Sequence, residues 1–366
     1  MLQLVFNTHA PARYALMIGD HPICQTSESC VSHAATIISC GMTVPNNVRT
    51  NNDLERMIET TDEWIVSRTG IRERRIVSDN ESTFTLALGA AEQALQRANL
   101  DSDAVDLIIV ATTTPEYGLP ATANLVQNAL GTRNAGAFDL NAACAGFVYG
   151  MAVARSLIES GTHQTILLIG SDTLSRIVDW TDRSTCVLFG DGAGAVVMQA
   201  TDHGSGILSM SLGSDGSGAS LLIQEAGGSH QPASTETLET GKHYLRMNGR
   251  EVYKFAVTAT AASARDVISS AGLVPDDIDL FVPHQANLRI IESAARGAGI
   301  PMDRVYVNAD RYGNTSAGSI PIALCEAVEE GKLQAGNHVV VVGFGAGLAW
   351  AAAAMKWTAE SPQHSA

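Results

Sequence analysis

The residues ANLDSDAVDLIIV, at positions 98–110, have a counterpart in AGLVPDDIDLFV at positions 271–282. Five residues are identical, and each identical pair is separated by 173 positions. Both stretches follow a segment with apolar residues at helical spacing, cross a polar turn and enter an apolar run of strand length. A helix–turn–strand unit repeated at this distance indicates a duplicated α/β chain.

A second similarity lies further along each half. Residues 189–197 (FGDGAGAVV) resemble residues 342–350 (VGFGAGLAW), and we predict a glycine hairpin between two apolar strands in both. The offset is 153 positions here, so the halves must carry different insertions. We expect the two halves to pack about a pseudo-twofold axis, with a functional site at their junction.

These repeats divide the chain. Residues 1–33 form an N-terminal extension of unknown role, 34–205 a first half and 206–366 a second half. Within the second half, residues 224–242 are polar and rich in turn formers, which predicts a long surface loop.

The composition limits the function. Of 366 residues, 45% are hydrophobic and 17% charged, which excludes a disordered chain. A net charge of −15 argues against a nucleic-acid or anionic-lipid binder. No apolar run reaches the roughly 20 residues that a membrane span needs, and the first thirty residues lack a basic segment followed by an apolar one, so we expect no signal peptide. The six cysteines include no C-x-x-C pair and no zinc-type spacing, so we expect reduced thiols, no metal and a cytoplasmic protein.

Cys144 is the most pointed candidate for chemistry. It follows an apolar strand and a short turn, and it precedes a predicted helix from about 145 to 160. A thiol in the first turn of a helix lies near unpaired N–H groups and the positive end of the helix dipole, which favours the nucleophilic thiolate. A buried cysteine is, however, often only a small apolar residue.

Two polar residues could complete a site. His284 follows a predicted parallel strand, where α/β proteins place active groups, and Asn314 lies in a loop of small residues before a helix. Taken alone, His284 is better explained as a hydrogen-bonded structural histidine, and Asn314 could be an ordinary turn asparagine. In combination, Cys144 could form a thioester, and His284 and Asn314 could then stabilise negative charge on the carbonyl oxygen of a second reactant. A cysteine protease would use the same three residue types, and spacing does not exclude it.

Several long motifs, in order, resemble one family. They are residues 61–74 (TDEWIVSRTGIRER), 142–147 (AACAGF), 189–194 (FGDGAG), 283–289 (PHQANLR) and 313–317 (GNTSA). Over about residues 34–357 the chain resembles the initiating condensing enzymes of bacterial fatty-acid synthesis, the β-ketoacyl-acyl carrier protein synthases III of the thiolase-fold superfamily. The resemblance implies duplicated α/β halves in a five-layer αβαβα arrangement.

The resemblance also implies a reaction, a decarboxylative Claisen condensation. Cys144 would take an acyl group from acyl-CoA, and His284 and Asn314 would then bind the thioester oxygen of malonyl-acyl carrier protein during its decarboxylation. The backbone at Cys144, Ala346 and Gly347 would hold the oxyanion of the condensation step. Phe147 would supply an apolar wall that favours loss of CO₂.

The family pattern assigns binding roles as well. It implies that Trp64, Arg68, Arg183, Ala286 and Asn287 contact CoA. The acidic carrier protein would dock on Gln285, Arg289, Arg250, Lys254 and Arg296. Leu119 would reach across a homodimer into the partner's acyl pocket. No resident cofactor is implied, since the CoA thioesters are substrates.

Alternatives remain. A thiolase would need a second cysteine where this chain has Ala346, and a plant-type polyketide synthase usually has proline there. A sibling condensing enzyme that makes a secondary metabolite or signal molecule would share the three residues. A non-catalytic homologue that only binds a carrier protein would be expected to have lost at least one of them.

Overall fold

A computed structural model describes residues 34–202 and 204–360, so the predicted extension 1–33 lies outside the described residues. These residues form thirteen strands: β1 (Ala34–Thr43), β2 (Val48–Thr50), β3 (Glu73–Arg75), β4 (Leu107–Ala111), β5 (Gly136–Leu140), β6 (Thr165–Thr173), β7 (Asp191–Thr201), β8 (Gly206–Ser214), β9 (Leu222–Gln224), β10 (Leu245–Met247), β11 (Leu280–Pro283), β12 (His338–Gly345) and β13 (Ala349–Lys356).

The same described residues form eleven α-helices: α1 (Asn51–Glu55), α2 (Asp62–Thr69), α3 (Thr83–Ala98), α4 (Thr122–Leu130), α5 (Gly146–Glu159), α6 (Arg183–Cys186), α7 (Thr235–Glu239), α8 (Gly249–Ser270), α9 (Leu288–Ala298), α10 (Ala309–Tyr312) and α11 (Ser319–Glu329). Predicted elements near the repeats are present as α3, β4, α8 and β11. Helix α8, which contains the apolar segment before the second repeat, begins at Gly249, where the Asn248 side chain caps it by accepting from the Glu251 N–H.

Two sheets form the frame of the molecule. The first has the order β1-β7-β6-β4-β5, and the second, read in the matching direction, has β8-β13-β12-β11. A parallel bridge between Phe281 and Val305 lies beside β11, where β5 lies beside β4 in the first sheet. In the first sheet β4 and β6 are parallel and β6 and β7 antiparallel. In the second sheet β11 and β12 are parallel and β12 and β13 antiparallel, which is the same order. This correspondence confirms the prediction of duplicated α/β halves.

Helices cover both sheets and fill the space between them. Helices α3 and α4 pack on the outer face of the first sheet, and α8 and α9 on the outer face of the second. Helices α5 and α11 contribute to the largest buried cluster, which also takes side chains from both sheets. The order of layers is therefore αβαβα, as predicted. The strand residues Val339, Val340, Val341 and Val342 are fully buried, as expected for a strand covered on both faces.

The two glycine-rich segments differ in structure. Residues 343–348 do form the hairpin between β12 and β13, but residues 191–194 lie inside strand β7. The predicted hairpin at 189–197 is therefore wrong. A Cβ at Gly194 would lie 2.6 Å from the Ile322 backbone nitrogen, so glycine there serves the close packing of α11 on the strand.

The predicted loop at 224–242 is not entirely loop. It contains α7, which begins with a capping box in which Ser234 and Thr237 each accept from the other's backbone N–H. The flanking strands β9 and β10 pair antiparallel, so the whole segment is a hairpin-like excursion with a short helix.

The strands of the first sheet come from residues 34–201 and those of the second from 206–356. The two sheets therefore agree with a division at about residue 205, and we keep the halves 34–205 and 206–366 as a proposal. They are not separate folding units, because α5 and α11 share one core and the described residues form one compact unit.

Candidate active site

Cys144 lies in a tight turn between β5 and α5. The Asn141 side chain accepts a hydrogen bond from the Ala143 N–H (3.1 Å), and Ala143 has a φ of +49°, in the left-handed region that favours glycine. A 3-10 turn over Ala143–Ala145 then leads into the helix. Strain of this kind is held in place by surrounding structure and often marks functional sites.

The hairpin between β12 and β13 passes directly against Cys144. A Cβ at Gly345 would lie 2.7 Å from the Cys144 backbone nitrogen and 3.1 Å from its Cβ. Only glycine permits this approach. Ala346 and Gly347, in the turn of the hairpin, line a cavity together with Cys144.

His284 follows β11 at its carboxyl end and is buried. Its backbone N–H donates to the Val342 carbonyl (2.8 Å), and its Nδ1 lies 2.6 Å from Ser319 Oγ. The Phe344 ring meets the imidazole edge-on at 5.2 Å between centroids. These contacts fix the ring, and the Nδ1 contact leaves Nε2 as the nitrogen available to a substrate.

Asn314 is held by its backbone and by one end of its side chain. Its N–H donates to the Leu188 carbonyl (2.8 Å), and its Oδ1 accepts from the Ser316 N–H (2.8 Å). With Oδ1 engaged, Nδ2 is the group that Asn314 can offer as a donor to a ligand.

The three candidates line one cavity of about 290 Å³. Its walls also include other residues singled out from the sequence, namely Trp64, Arg68, Ala286 and Asn287. A second cavity of about 520 Å³ shares Cys144 and is lined by Leu174, Ile177, Leu222, Ile223 and Leu245, besides Ala346 and Gly347. Cys144 is thus reached from two sides, from the channel that it shares with His284 and Asn314 and from a second pocket that contains neither of them.

Trp64 and Arg68 line the smaller cavity, whereas Arg183 does not line it but lies against the same aromatic ring. The guanidinium carbon of Arg183 lies 4.7 Å from the Trp64 ring centroid, and that of Arg68 lies 5.9 Å away. Asn287 donates to the Arg68 carbonyl (3.2 Å) and accepts from the Arg289 N–H, so it joins α2 to the start of α9. The arrangement suits a ligand with a planar ring and negative charge.

Burial sets the protonation of the site. It raises the pKa of the Cys144 thiol to about 12, although a hydrogen bond with Ser316 acts in the opposite direction. Burial also lowers the pKa of His284 to about 3. The resting pair is therefore a neutral thiol and a neutral imidazole. The prediction that the helix terminus would favour a thiolate is wrong here, because desolvation outweighs it.

This protonation state has a measurable consequence. We expect the rate of Cys144 alkylation by iodoacetamide to rise about tenfold per pH unit between pH 7 and pH 10, because the reactive thiolate fraction grows with pH below the pKa. Peptide mapping by mass spectrometry would follow the modified cysteine, with Cys144→Ala as the blank. A plateau near pH 7 would show that the thiol is already ionised.

Two of the implied roles do not fit the geometry. Phe147 is fully buried between the two sheets and lines neither of the two cavities that reach Cys144. It points into the core because of its place on α5, and Phe344 provides the aromatic wall beside His284 instead. Gln285 is also buried, and its side chain donates to the Pro283 and Tyr306 carbonyls, so it cannot meet a docking partner.

The other implied docking residues, Arg289, Arg250, Lys254 and Arg296, are exposed on α8 and α9. Leu119 is 90% exposed and lies outside both cavities of this chain's described residues. Sequence reasoning overlooked Ser316, Ser319 and Phe344. Ser316 and Ser319 follow Asn314 in the same run of small residues, so that run could have indicated them. No neighbouring residue in the sequence indicated that Phe344, and not Phe147, would lie beside His284.

Among residues 34–202 and 204–360, no group of three or more acidic, histidine or cysteine side chains is placed to hold a metal ion. Over the same ranges, no helix combines the length and apolarity needed to cross a bilayer.

Family models and relatives match this chain extensively. A model described as 3-oxoacyl-[acyl-carrier-protein (ACP)] synthase III matches residues 138–216, and one for the C terminal of the same synthase matches residues 268–357. A β-ketoacyl-[acyl-carrier-protein] synthase III of Roseiflexus sp. (strain RS-1) is 53% identical over 329 residues, 90% of this chain and 100% of the relative. The corresponding protein of Caldanaerobacter subterraneus subsp. tengcongensis is 49% identical, covering 90% and 99% of the two chains.

Solved structures agree. The 3-oxoacyl-[acyl-carrier-protein] synthase III of Aquifex aeolicus VF5 has a TM-score of 0.82 at 45% identity, covering 88% of this chain and 100% of that one. The priming β-ketosynthase of the R1128 polyketide biosynthetic pathway has a TM-score of 0.84 at 34% identity, covering 90% and 98%. Similarity of this degree, along nearly the whole length of the relatives, shows that the chain belongs to the β-ketoacyl-[acyl-carrier-protein] synthase III family.

Proposed function

We propose that the protein catalyses a decarboxylative Claisen condensation of an acyl-CoA primer with malonyl-acyl carrier protein. The product is a 3-oxoacyl-acyl carrier protein, and the reaction initiates fatty-acid synthesis. The observation that carries the proposal is the single cavity lined by Cys144, His284 and Asn314. Membership of the family supports the same reaction class, acyl transfer.

The first half-reaction transfers the acyl group to the enzyme. Cys144 Sγ attacks the carbonyl carbon of acyl-CoA, the carbon–sulfur bond to CoA breaks, and the thiol proton leaves with CoA as its free thiol. Because the resting thiol is neutral, it must lose this proton as the attack proceeds. Backbone N–H groups at Cys144 and the adjacent hairpin stabilise the oxyanion that forms.

The second half-reaction builds the new carbon–carbon bond. Neutral His284 and the Asn314 amide donate hydrogen bonds to the thioester oxygen of malonyl-acyl carrier protein, which stabilises the enolate left when CO₂ departs. The enolate carbon attacks the acyl-Cys144 thioester. The Cys144 sulfur leaves as thiolate and takes up a proton. An imidazole that stays uncharged suits a hydrogen-bond donor that must not lose its proton to the enolate.

The channel side of Cys144 is proposed to bind CoA. Trp64 offers a face for the adenine ring, with Arg68 and Arg183 available to the ring or phosphates. Ala286 and Asn287 line the path of the pantetheine chain. All reacting groups belong to this chain or to the two thioester substrates, so we propose no resident cofactor. We also propose that the protein is cytoplasmic.

A condensation assay tests the proposal. Acyl-CoA primers of rising length are supplied with malonyl-acyl carrier protein or, separately, with malonyl-CoA, and the 3-oxoacyl product is measured by mass spectrometry. We expect product with the carrier-protein substrate. The second candidate is a sibling condensing enzyme of a secondary-metabolite pathway, which the similarity to the R1128 priming ketosynthase supports. Such an enzyme would prefer a specialised primer or carrier protein. Absence of product with every pair would overturn the proposal.

The carrier protein is proposed to dock on Arg250, Lys254, Arg289 and Arg296. Tyr253, which lies beside Arg289, also lines the cavity, so this basic surface adjoins the channel to Cys144. Charge of this sign on an acidic protein suits an acidic partner.

The double variant Lys254→Glu/Arg289→Glu should raise the KM for malonyl-acyl carrier protein by roughly five- to tenfold at low salt, with a smaller change for acyl-CoA. The difference should shrink as ionic strength rises. Lys332→Glu, an exposed cation in the turn after α11, is the control and should change neither constant. Equal effects on both substrates would count against docking here.

A homodimer is also proposed. Strand β5 lies at the edge of the first sheet, and Phe138 on it is exposed, as are Tyr117 and Leu119 in the connection from β4 to α4. An edge strand with exposed apolar residues favours pairing with a second copy. Sedimentation should give twice 38.5 kDa. Phe138→Asp should shift the mass towards one chain, whereas Leu238→Asp, also exposed, should not. A wild-type mass of one chain would refute the dimer.

A further inference from the structure

Glu326 on α11 is one of the buried carboxylates for which the mechanism above has no role. It is 7% exposed. Its Oε1 accepts from the Tyr312 hydroxyl (2.6 Å) and from Arg311 Nη1 (3.0 Å). Its Oε2 accepts from Asn308 Nδ2 (2.7 Å), Arg311 Nη2 (3.2 Å) and the Tyr306 hydroxyl (3.4 Å). A carboxylate bound by five donors fixes the segments that carry those donors.

One of these segments carries Asn314. Tyr312 is separated from Asn314 only by Gly313, which has a φ of +64° and would place a Cβ 2.8 Å from the Leu188 carbonyl. The tyrosine hydroxyl anchors the start of this tight turn to Glu326. The position of the Asn314 amide therefore depends on the Glu326 carboxylate, which acts through the tyrosine two residues before Asn314.

The other segment leads to His284. The Asn308 N–H donates to Gln285 Oε1 (3.0 Å), and Gln285 Nε2 donates to the Pro283 carbonyl (2.7 Å). The Gln285 side chain thus binds the peptide on one side of His284 and is itself held by the residue that donates to Glu326. Gln285, which cannot dock a partner, has a role in this chain of hydrogen bonds.

Helix α11 connects the His284 ring to Glu326 directly. Its first residue, Ser319, contacts His284 Nδ1, and Glu326 lies seven residues later on the same rigid element, two helical turns away. One helix thus contacts the His284 ring at its start and supports both loops at Glu326.

We propose that Glu326 is a positioning residue that sets the distance between the His284 and Asn314 donors, and that it thereby controls malonyl decarboxylation rather than acyl transfer. This inference rests on the proposed function. Both donors must reach the same thioester oxygen, and hydrogen bonds weaken steeply when their geometry departs from the optimum. Acyl transfer depends instead on Cys144 and the backbone beside it.

The test compares Glu326→Gln with Glu329→Gln. Glutamine keeps the size of Glu326 but turns an NH₂ group towards donors. Glu329 lies one turn further along α11 and pairs with Arg97, away from both loops. For Glu326→Gln we expect kcat for decarboxylation to fall about 10- to 100-fold, with acyl-Cys144 formation within about twofold and the KM for malonyl-acyl carrier protein unchanged. Glu329→Gln should match the wild type in both half-reactions.

Tyr312→Phe is a milder second variant, because it removes one donor and leaves the carboxylate in place. It should lower decarboxylation selectively by a smaller factor, and this result decides the matter if Glu326→Gln does not fold. Equal losses in both half-reactions, or no loss in either, would overturn the positioning role. A wild-type enzyme that neither decarboxylates nor condenses would instead overturn the proposed function.

Discussion

Replacing Cys144 with alanine will abolish covalent labelling by radiolabelled acyl-CoA and lower condensation by about 10⁴-fold or more, the scale of loss seen when a catalytic nucleophile is removed. Cys144 is the cysteine that lines both cavities. With no sulfur there, the acyl group has no acceptor. The label would be located by peptide mapping after rapid acid quench, which preserves the thioester.

Cys186→Ala is the matched control. Cys186 is buried like Cys144, and it lies next to Val187 in the wall of the smaller cavity, but it lines neither of the two cavities that reach Cys144. This variant should be labelled like the wild type. Label that persists in Cys144→Ala would reject the nucleophile assignment. A wild type that binds carrier protein yet never takes label would favour the non-catalytic alternative.

Removing the hydrogen-bond donor of His284 or of Asn314 will slow decarboxylation and leave acyl transfer almost unchanged. His284→Ala and Asn314→Ala should each lower malonyl decarboxylation by about 10²- to 10³-fold, equivalent to about 2.7–4 kcal/mol, the usual worth of one oxyanion donor. Acyl transfer to Cys144 should stay within a few-fold of wild type. Release of ¹⁴CO₂ from labelled malonyl-acyl carrier protein measures the first rate, and acyl-enzyme formation measures the second.

Two controls sharpen this expectation. Asn314→Asp keeps the shape but replaces the Nδ2 donor by an acceptor, so it should be at least as impaired as Asn314→Ala. In the wild type, decarboxylation should show no titration near pH 6.5, because the lowered pKa keeps His284 neutral from pH 8 down to pH 5. Normal decarboxylation in both alanine variants would show that the enolate role is wrong.

Much of the fold could be predicted because its signals are local. The apolar runs that became β4 and β11, and the polar turns before them, are recognisable within a dozen residues, and their repetition at 173 positions revealed the duplication. The same pattern failed for residues 189–197. A run of small residues serves a hairpin or a closely packed strand equally well, and only the presence of α11 against Gly194 decides between them.

The candidate site divides in the same way. Cys144, His284 and Asn314 were identifiable because each follows a strand or opens a helix in a motif of recognisable family pattern, and the relatives confirm that family. Phe147 was misplaced because helical spacing alone does not say which face of α5 meets the second sheet. Gln285 was misplaced because two of the three hydrogen-bond partners of its side chain come from residues more than twenty positions away.

The sequence by itself determined the α/β duplication and the family, and it indicated the three candidate side chains, since these follow from local patterns and residue types. Only the tertiary structure decided how those side chains behave. Gly345 lies against Cys144 across some two hundred residues of chain, and the burial that results keeps the thiol protonated and the imidazole neutral. Desolvation arises from all the atoms that surround a group, and so it cannot be read from the residues beside it in the chain.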